Sequence, residues 1–351
     1  MGGLELAIEQ IAKATVCPQC QPVVYFLDHL PAQADHEGVK EIRGSMWSSV
    51  WSMAIPTVSA WKALGVALRQ ADVIHYHLPW PVADLAQLFF RPRAPVLVTY
   101  HADLVRQKRV EPLYAIVRNA FFRRVDRIVV TTPTYAKASL ALRAFASKTV
   151  SIPLCLADLP SEHVKTEHSS MEPFFLFVGV LRYYKGLDSL LTAAKVTGLK
   201  VKIIGDGEHM AEIKDRIERE KIVTVELFGR LSEIEKLKLI DRCAALVLPS
   251  TSRAEAFGMV LLEAMRAAKP VITTNIDSGM RYVCEAGVTG LTIPPNDPAA
   301  LGRAMRSIID SPAYARQLGE SGRERYLSLF TPEVVGRQYL DLYQQLLNER
   351  R

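Results

Sequence analysis

The chain has 351 residues, 49% of them hydrophobic and 23% charged, with a formal net charge of +6. These values describe an ordinary soluble globular protein of two or three domains, and the lack of any apolar run near 18 residues excludes a transmembrane helix. The start M-G-G-L-E-L-A-I-E-Q is acidic and amphipathic, unlike a secretory signal, and five scattered cysteines (17, 20, 155, 243 and 284) suit a reducing cytoplasm.

In chain order, a helix is predicted over 4–15 and a first strand at 23–27, followed by strands at 73–76, 96–100, 128–131 and 149–152. Helical patterns at 59–70, 82–89, 112–124 and 134–145 fill the gaps. Residues 152–173 are polar and proline-punctuated, a linker by composition. The rhythm restarts with strands at 175–179, 201–204, 225–228, 246–249, 271–273 and 291–293. The helices between these include 186–197, 211–220, 233–243 and 259–268, and 331–348 reads as one amphipathic helix after a Thr-Pro start. Alternation of this kind predicts an α/β protein of two Rossmann-like domains, 1–155 and 156–330, with a final helix in 331–351. Ligands are then expected outside the carboxyl ends of the strands, in a cleft between facing domains. A doubly wound domain opens with a strand, and none precedes Gly2. A missing first strand is therefore expected, at the cost of ladder bonds and buried apolar area.

Seven basic residues lie between His101 and Arg127: Arg106, Lys108, Arg109, Arg118, Arg123, Arg124 and Arg127. Apolar and aromatic residues alternate with them. The segment 106–127 belongs either on an anionic membrane surface or on a core helix with a solvated basic face. No recognition motif for nucleic acid accompanies it. Cys17-Pro-Gln-Cys20 has the form of half a zinc site, and no second half completes it.

The most informative stretch is S-R-A-E-A-F-G-M-V-L-L-E-A-M-R, with Glu255 and Glu263 on either side of Gly258, where an apolar helix opens. Unpaired N–H groups and the positive dipole end make such a helix start a site for phosphate. An anion there carries one polyol toward Glu255 and another toward Glu263, the layout of a nucleotide sugar. Chance is the alternative, since acidic residues favour first turns. In F-V-G-V-L-R-Y-Y-K-G, Arg182 and Lys185 follow a strand and can neutralise a departing diphosphate; a solvated basic turn is the alternative. T-Y-H-A-D puts His101 at a strand's carboxyl end, exposed to a sugar or acting in proton transfer with Asp103, or simply satisfied at the surface. His75-Tyr-His77 with Trp80 reads as acceptor-facing, or as a tryptophan capping the core. Gly205 and Gly207 in I-I-G-D-G-E form a turn after a strand, weak evidence alone. There is no full dinucleotide fingerprint, no P-loop and no Asp-x-Asp to hold a divalent metal.

Taken together, E-x7-E, V-G-x-L-R-Y-Y-K-G, I-I-G-D-G, the early Gly2-Gly3-Leu-Glu5 and T-Y-H-A-D resemble the family 4 retaining glycosyltransferases of GT-B fold, over essentially the whole chain. H-Y-H-L-P-W-P and T-Y-H-A-D-L-V-R-Q-K are most similar to the bacterial mannosyl- and rhamnosyltransferases of lipid-linked polysaccharide assembly. The resemblance implies that Glu255 contacts the donor sugar and Glu263 the ribose, both as hydrogen-bond acceptors. Backbone N–H groups of Phe257, Gly258, Met259 and Val260 would meet the sugar and phosphates. Arg182 and Lys185 would clamp the diphosphate, Gly2 and Gly3 would let the first helix approach it, and His101 would lie by the transferred sugar. It implies a GDP-sugar donor, with UDP-sugar as the alternative, no cofactor and no metal. It also implies a lipid-linked saccharide acceptor, no nucleic acid, and a cytoplasmic enzyme peripheral on the inner membrane face through 106–127. Many members carry an arginine directly after the strand glycine, where this chain has Val180; Arg182 stands two residues on. A sugar-nucleotide epimerase of the same fold and an inactive nucleotide-sugar-binding protein are the competing readings.

Overall fold

The computed structural model describes residues 3–29, 32–50, 53–101, 111–159 and 172–350. They divide into two compact units, Gly3–Cys155 with Pro332–Arg351, and Leu156–Thr331.

In the first unit, α1 (Gly3–Ala14) precedes β1 (Val23–Asp28), β2 (Ala32–His36), β3 (Val39–Val50) and β4 (Met53–Pro56). β3 is central, with β1 parallel to it and β2 and β4 antiparallel. Glu37 and Gly38 join β2 to β3 at φ 54° and 81°, the left-handed pair that a two-residue hairpin turn requires. A second sheet holds β5 (Ile74–Leu78), β6 (Val96–Tyr100), β7 (Arg127–Val130) and β8 (Thr149–Ser151), parallel and in chain order. Between these strands run α2 (Val58–Gln70), α3 (Pro81–Phe90), α4 (Glu111–Arg124) and α5 (Pro133–Ala138). Thr57 and Thr132 cap α2 and α5 through their hydroxyls. Side chains alternate along β5: Ile74, Tyr76 and Leu78 join the apolar cluster of α2, α3 and α4, and His75 and His77 take the other face. Tyr25 and Leu27 of β1 pack against the same cluster, yet among the described residues no ladder joins β1 to β5.

α4 buries one side of the basic segment and leaves another exposed. Phe121 and Phe122 are fully buried and Arg118 nearly so, while Arg123 and Arg124 are exposed at its end. Arg106, Lys108 and Arg109 lie outside the described residues.

The second unit is built on one parallel sheet of β9 (Phe174–Val178), β10 (Lys200–Ile204), β11 (Val225–Gly229), β12 (Ala245–Leu248), β13 (Val271–Thr274) and β14 (Gly290–Ile293). Its order is β11-β10-β9-β12-β13-β14. β12 and β13 are buried along their whole length, as expected where helices cover both faces. The helices are α6 (Leu187–Thr197), α7 (Met210–Arg219), α8 (Glu233–Arg242), α9 (Met259–Arg266), α10 (Met280–Val283), α11 (Pro298–Asp310) and α12 (Pro312–Leu329). Ser232 and Glu235 form a reciprocal capping box on α8. β9 and β12 are neighbours although the chain leaves β9 in the opposite direction, so their carboxyl ends mark the switch point where such sheets bind ligands. The last helix, α13 (Pro332–Glu349), belongs to the first unit and packs on α1.

Three details differ from the sequence reading. The helix expected over 134–145 stops at Ala138 and resumes as a 3-10 stretch, Leu140–Lys148, broken at Phe145. β2, β3 and β4 occupy a region where no strand was expected. The expected linker opens as core: Leu154, Cys155 and Leu156 are buried, and Tyr326 Oη donates to Leu156 O at 2.8 Å.

Candidate active site

In the second unit the loops after β9 and β12 lie side by side at the switch point. Gly186 permits this: it has φ 68°, and a Cβ there would sit 1.9 Å from Pro249 O. Thr251 N donates to Tyr184 O at 2.7 Å and ties the two loops together. Lys185, in the single 3-10 turn Tyr183–Lys185, is held against the β12 loop. Its Nζ donates to Glu255 Oε2 at 2.5 Å, and Ser250 Oγ donates to the same oxygen at 3.1 Å. Both charged side chains are 11% exposed. The sequence reading assigned Lys185 to a diphosphate and Glu255 to a sugar; the structure also brings the two onto each other. Gly186→Ala is expected to cost about 1–3 kcal/mol through the clash with Pro249 O. A urea midpoint equal to that of the parent would show that the loops do not depend on this contact.

Gly258 is the N-cap of α9 at φ 81°, and neither a side-chain cap nor an acidic first-turn residue satisfies the helix start. Its free N–H groups and dipole favour an anion. Glu255 precedes Gly258 in the loop, and Glu263 lies about 7.5 Å further along the helix axis. Glu263 is 6% exposed. Lys236 of α8 stands 2.7 Å from its Oε2 as a buried ion pair. Burial opposes the charge on Lys236, but the carboxylates of Glu263 and then Glu233 outweigh it and raise its pKa above the ordinary lysine value. Sequence reasoning missed Lys236, because nothing local to α8 announces a partner on α9.

Around this centre, Arg182 is exposed and its side chain has no partner among the described residues. Met259 and Val260 are half-buried in the first turn. Phe257 turns its ring into the core, 6.1 Å from that of Phe330, and leaves only its backbone at the helix start. Gly205 and Gly207 serve packing: a Cβ would lie 1.9 Å from Gly179 O in one case and 2.5 Å from Leu181 O in the other.

The first unit carries a separate cluster. His101 is 7% exposed, buried rather than open at the strand end. Its Nε2 lies 2.9 Å from His77 Nδ1, and the two rings stack with centroids 5.2 Å apart. His75 stacks on His77 at 4.3 Å, with Nδ1 2.8 Å from Tyr343 Oη and Nε2 2.7 Å from Thr99 Oγ1. Burial drives these imidazoles toward neutrality, with the His75 pKa lowered to about 3 and that of His101 to about 4. Burial and the two neighbouring imidazoles also hold His77 well below the ordinary range. The period-two signals H-x-H and T-x-H on adjacent strands were legible; their contact was not. Trp80 packs on the apolar cluster, as the core alternative had it. Gly3 begins α1; Gly2 and Asp103 lie outside the described residues. Cys17 and Cys20 face each other across a tight turn, and no group of three metal-ligating side chains is found among the described residues.

Residues 2–155 match the Glycosyl transferase 4-like domain and residues 159–325 match Glycosyl transferases group 1. Over 284 residues the chain is 38% identical to O-antigen chain mannosyltransferase C of Escherichia coli, covering 80% of this chain and 76% of that one. The chain belongs to the family 4 glycosyltransferases. This glycosyltransferase is also 38% identical over 281 residues to D-rhamnosyltransferase WbpZ of Pseudomonas aeruginosa, across 78% of this chain and 74% of the relative. Sucrose-phosphate synthase from Thermosynechococcus elongatus shares its fold, with a TM-score of 0.80 and 23% identity over 99% of this chain and 94% of that one. Anabaena HepE in complex with UDP has a TM-score of 0.77 at 18% identity, over 98% and 96% of the two chains. The glycosyltransferase thus has the GT-B fold. None of its described helices is long and apolar enough to cross a membrane.

Proposed function

We propose that this glycosyltransferase moves mannose or a deoxyhexose from a GDP-sugar to a hydroxyl of a growing, lipid-linked surface polysaccharide, with retention and without a metal. One arrangement carries the reading: Glu255 with Lys185 before the uncapped start of α9, and Glu263 with Lys236 beyond it. The diphosphate lies on the N–H groups of the first turn. Glu263, held in place by Lys236 at Oε2, accepts from the ribose hydroxyls, and Glu255 accepts from the donor sugar. As the sugar–phosphate bond breaks, Lys185, Arg182 and the helix dipole neutralise the charge that grows on the leaving group. The acceptor hydroxyl attacks from the face the diphosphate leaves, and a phosphate oxygen takes its proton. His101 lies by the transferred sugar. The named activities of two relatives, mannosyl and D-rhamnosyl transfer, support the choice of sugar.

Titration calorimetry tests the donor. GDP is expected to bind at least about tenfold more tightly than UDP, a difference of about 1.4 kcal/mol; equal affinities would remove the GDP assignment. Glu263→Gln is expected to weaken GDP about tenfold and to leave 2′,3′-dideoxy-GDP unchanged. An equal loss for both would take Glu263 away from the ribose.

The same reading places the enzyme on the cytoplasmic membrane face through 106–127. Arg123 and Arg124 of α4 are exposed, as are Ile116 of the same helix and Leu85 and Phe89 of α3. Changing both arginines to glutamate is expected to lower partition onto phosphatidylglycerol vesicles by at least about 30-fold, from about 1 kcal/mol for each lost arginine alone. Undiminished partition would place the membrane contact elsewhere.

A further inference from the structure

The imidazole pile of the first unit has a direction. β5 and β6 run parallel with His77 opposite Thr99, so the side chains of His75, His77, Thr99 and His101 share one face. One end of the pile is anchored: both ring nitrogens of His75 are engaged, by Tyr343 and Thr99, and Tyr339 Oη lies 3.2 Å from Thr99 Oγ1. Both tyrosines come from α13. At the other end, His101 N donates to Leu78 O at 3.0 Å, which fixes its backbone. Its Nε2 is taken by His77 Nδ1, and among the described residues its Nδ1 meets no protein partner.

We infer that His77 is a positioning residue: it holds the His101 ring in one orientation and one tautomer, so that Nδ1 is the nitrogen offered to the transferred sugar. The inference rests on the reading that His101 contacts that sugar. A neutral imidazole carries one N–H and one bare nitrogen, and the partner of one nitrogen sets the character of the other. With Nε2 committed to His77, the ring cannot flip without breaking that bond, and Nδ1 takes the role opposite to Nε2, donor where Nε2 accepts and acceptor where it donates. Stacking between His75 and His101 keeps the His77 ring from turning away. His77 touches no substrate; its effect passes entirely through His101.

Two variants of the full chain test this. His77→Phe keeps a ring in the pile and removes the hydrogen bond. His77→Asn restores a polar group at the Nδ1 position. With GDP-mannose as donor and a polyprenyl-diphosphate-linked saccharide as acceptor, His77→Phe is expected to lower kcat at least tenfold. Its affinity for GDP should change less than twofold, which also reports an intact second unit. His77→Asn is expected to recover most of the loss. In 15N-histidine-labelled protein, the His101 ring is expected to show one neutral tautomer in the parent and a mixture in His77→Phe. A single unchanged tautomer in His77→Phe would overturn the inference, as would a kcat within twofold of the parent while His101→Phe is impaired. A full rate in His101→Phe is a distinct result, which removes the sugar-contact reading and the inference with it.

Discussion

Lys185→Ala is expected to lower sugar transfer about 100- to 1,000-fold, the usual loss when one preorganised charge partner of a transition state is removed. The same change should cost about 3–5 kcal/mol of stability, because it leaves Glu255 as an unpaired buried carboxylate. The two losses have different origins and can be separated. The double variant Lys185→Met with Glu255→Gln removes both charges, and replacing a buried ion pair by neutral groups is often close to neutral for folding. It should therefore recover most of the thermal stability and none of the rate. Transfer kinetics measured well below the melting temperature, beside melting curves of both variants, provide the check. A near-normal rate in the single variant would remove Lys185 from the reacting bond. Recovery of the rate in the double variant would mean that the pair matters only as a brace between the β9 and β12 loops.

Acid should unfold the first unit over a narrow range. In the unfolded chain each imidazole binds a proton near pH 6.5. In the folded chain His101 does so only near pH 4 and His75 near 3, with His77 also well depressed. Between pH 6.5 and 4 the unfolded state therefore binds more protons, and stability falls as the pH falls, by up to about 4 kcal/mol per pH unit for three histidines. Asp84 acts in the opposite sense. Burial raises its carboxyl to about 6, against lowering contributions from the Tyr114 hydroxyl and then Arg118. The folded state thus takes that proton first, regaining up to about 1.4 kcal/mol per unit below pH 6. The net slope, up to about 3 kcal/mol per unit, would exhaust a typical stability of about 5–15 kcal/mol within a few pH units. All four tryptophans (47, 51, 61 and 80) lie in the first unit, so their fluorescence follows it selectively in urea titrations at pH 7.5, 6.5 and 5.5. Asp84→Asn should steepen the decline. A midpoint that does not move between pH 7.5 and 5.5 would show that the pile accepts protons while folded.

What could be read from the sequence follows from the range of the interactions. F-F-L-F-V, A-L-V-L and V-I-T-T are buried on both faces and form β9, β12 and β13 close to the expected positions. β2 and β3 are partly exposed antiparallel strands that mix polar with apolar residues, so no apolar run announces them; only the Glu37-Gly38 turn does. Glu255, Gly258 and Glu263 were legible because one loop and one helix fix their spacing. Lys236, on a different helix, was not. His101 was expected to be exposed because its strand end is all the local sequence shows. The contacts that bury its pile come from Tyr339 and Tyr343 of α13, at the other end of the chain.

That return of α13 to the first unit has a consequence for how the protein is made. The ribosome releases Gly3–Cys155 first, yet this unit is the last that can be finished. The second unit, Leu156–Thr331, is a single uninterrupted stretch and has all its residues in hand earlier. Until α13 emerges, α1 lacks the helix it packs on in the finished fold and His75 lacks the tyrosine at its Nδ1. Loss of α13 would therefore be felt at the imidazoles, which are synthesised well before it.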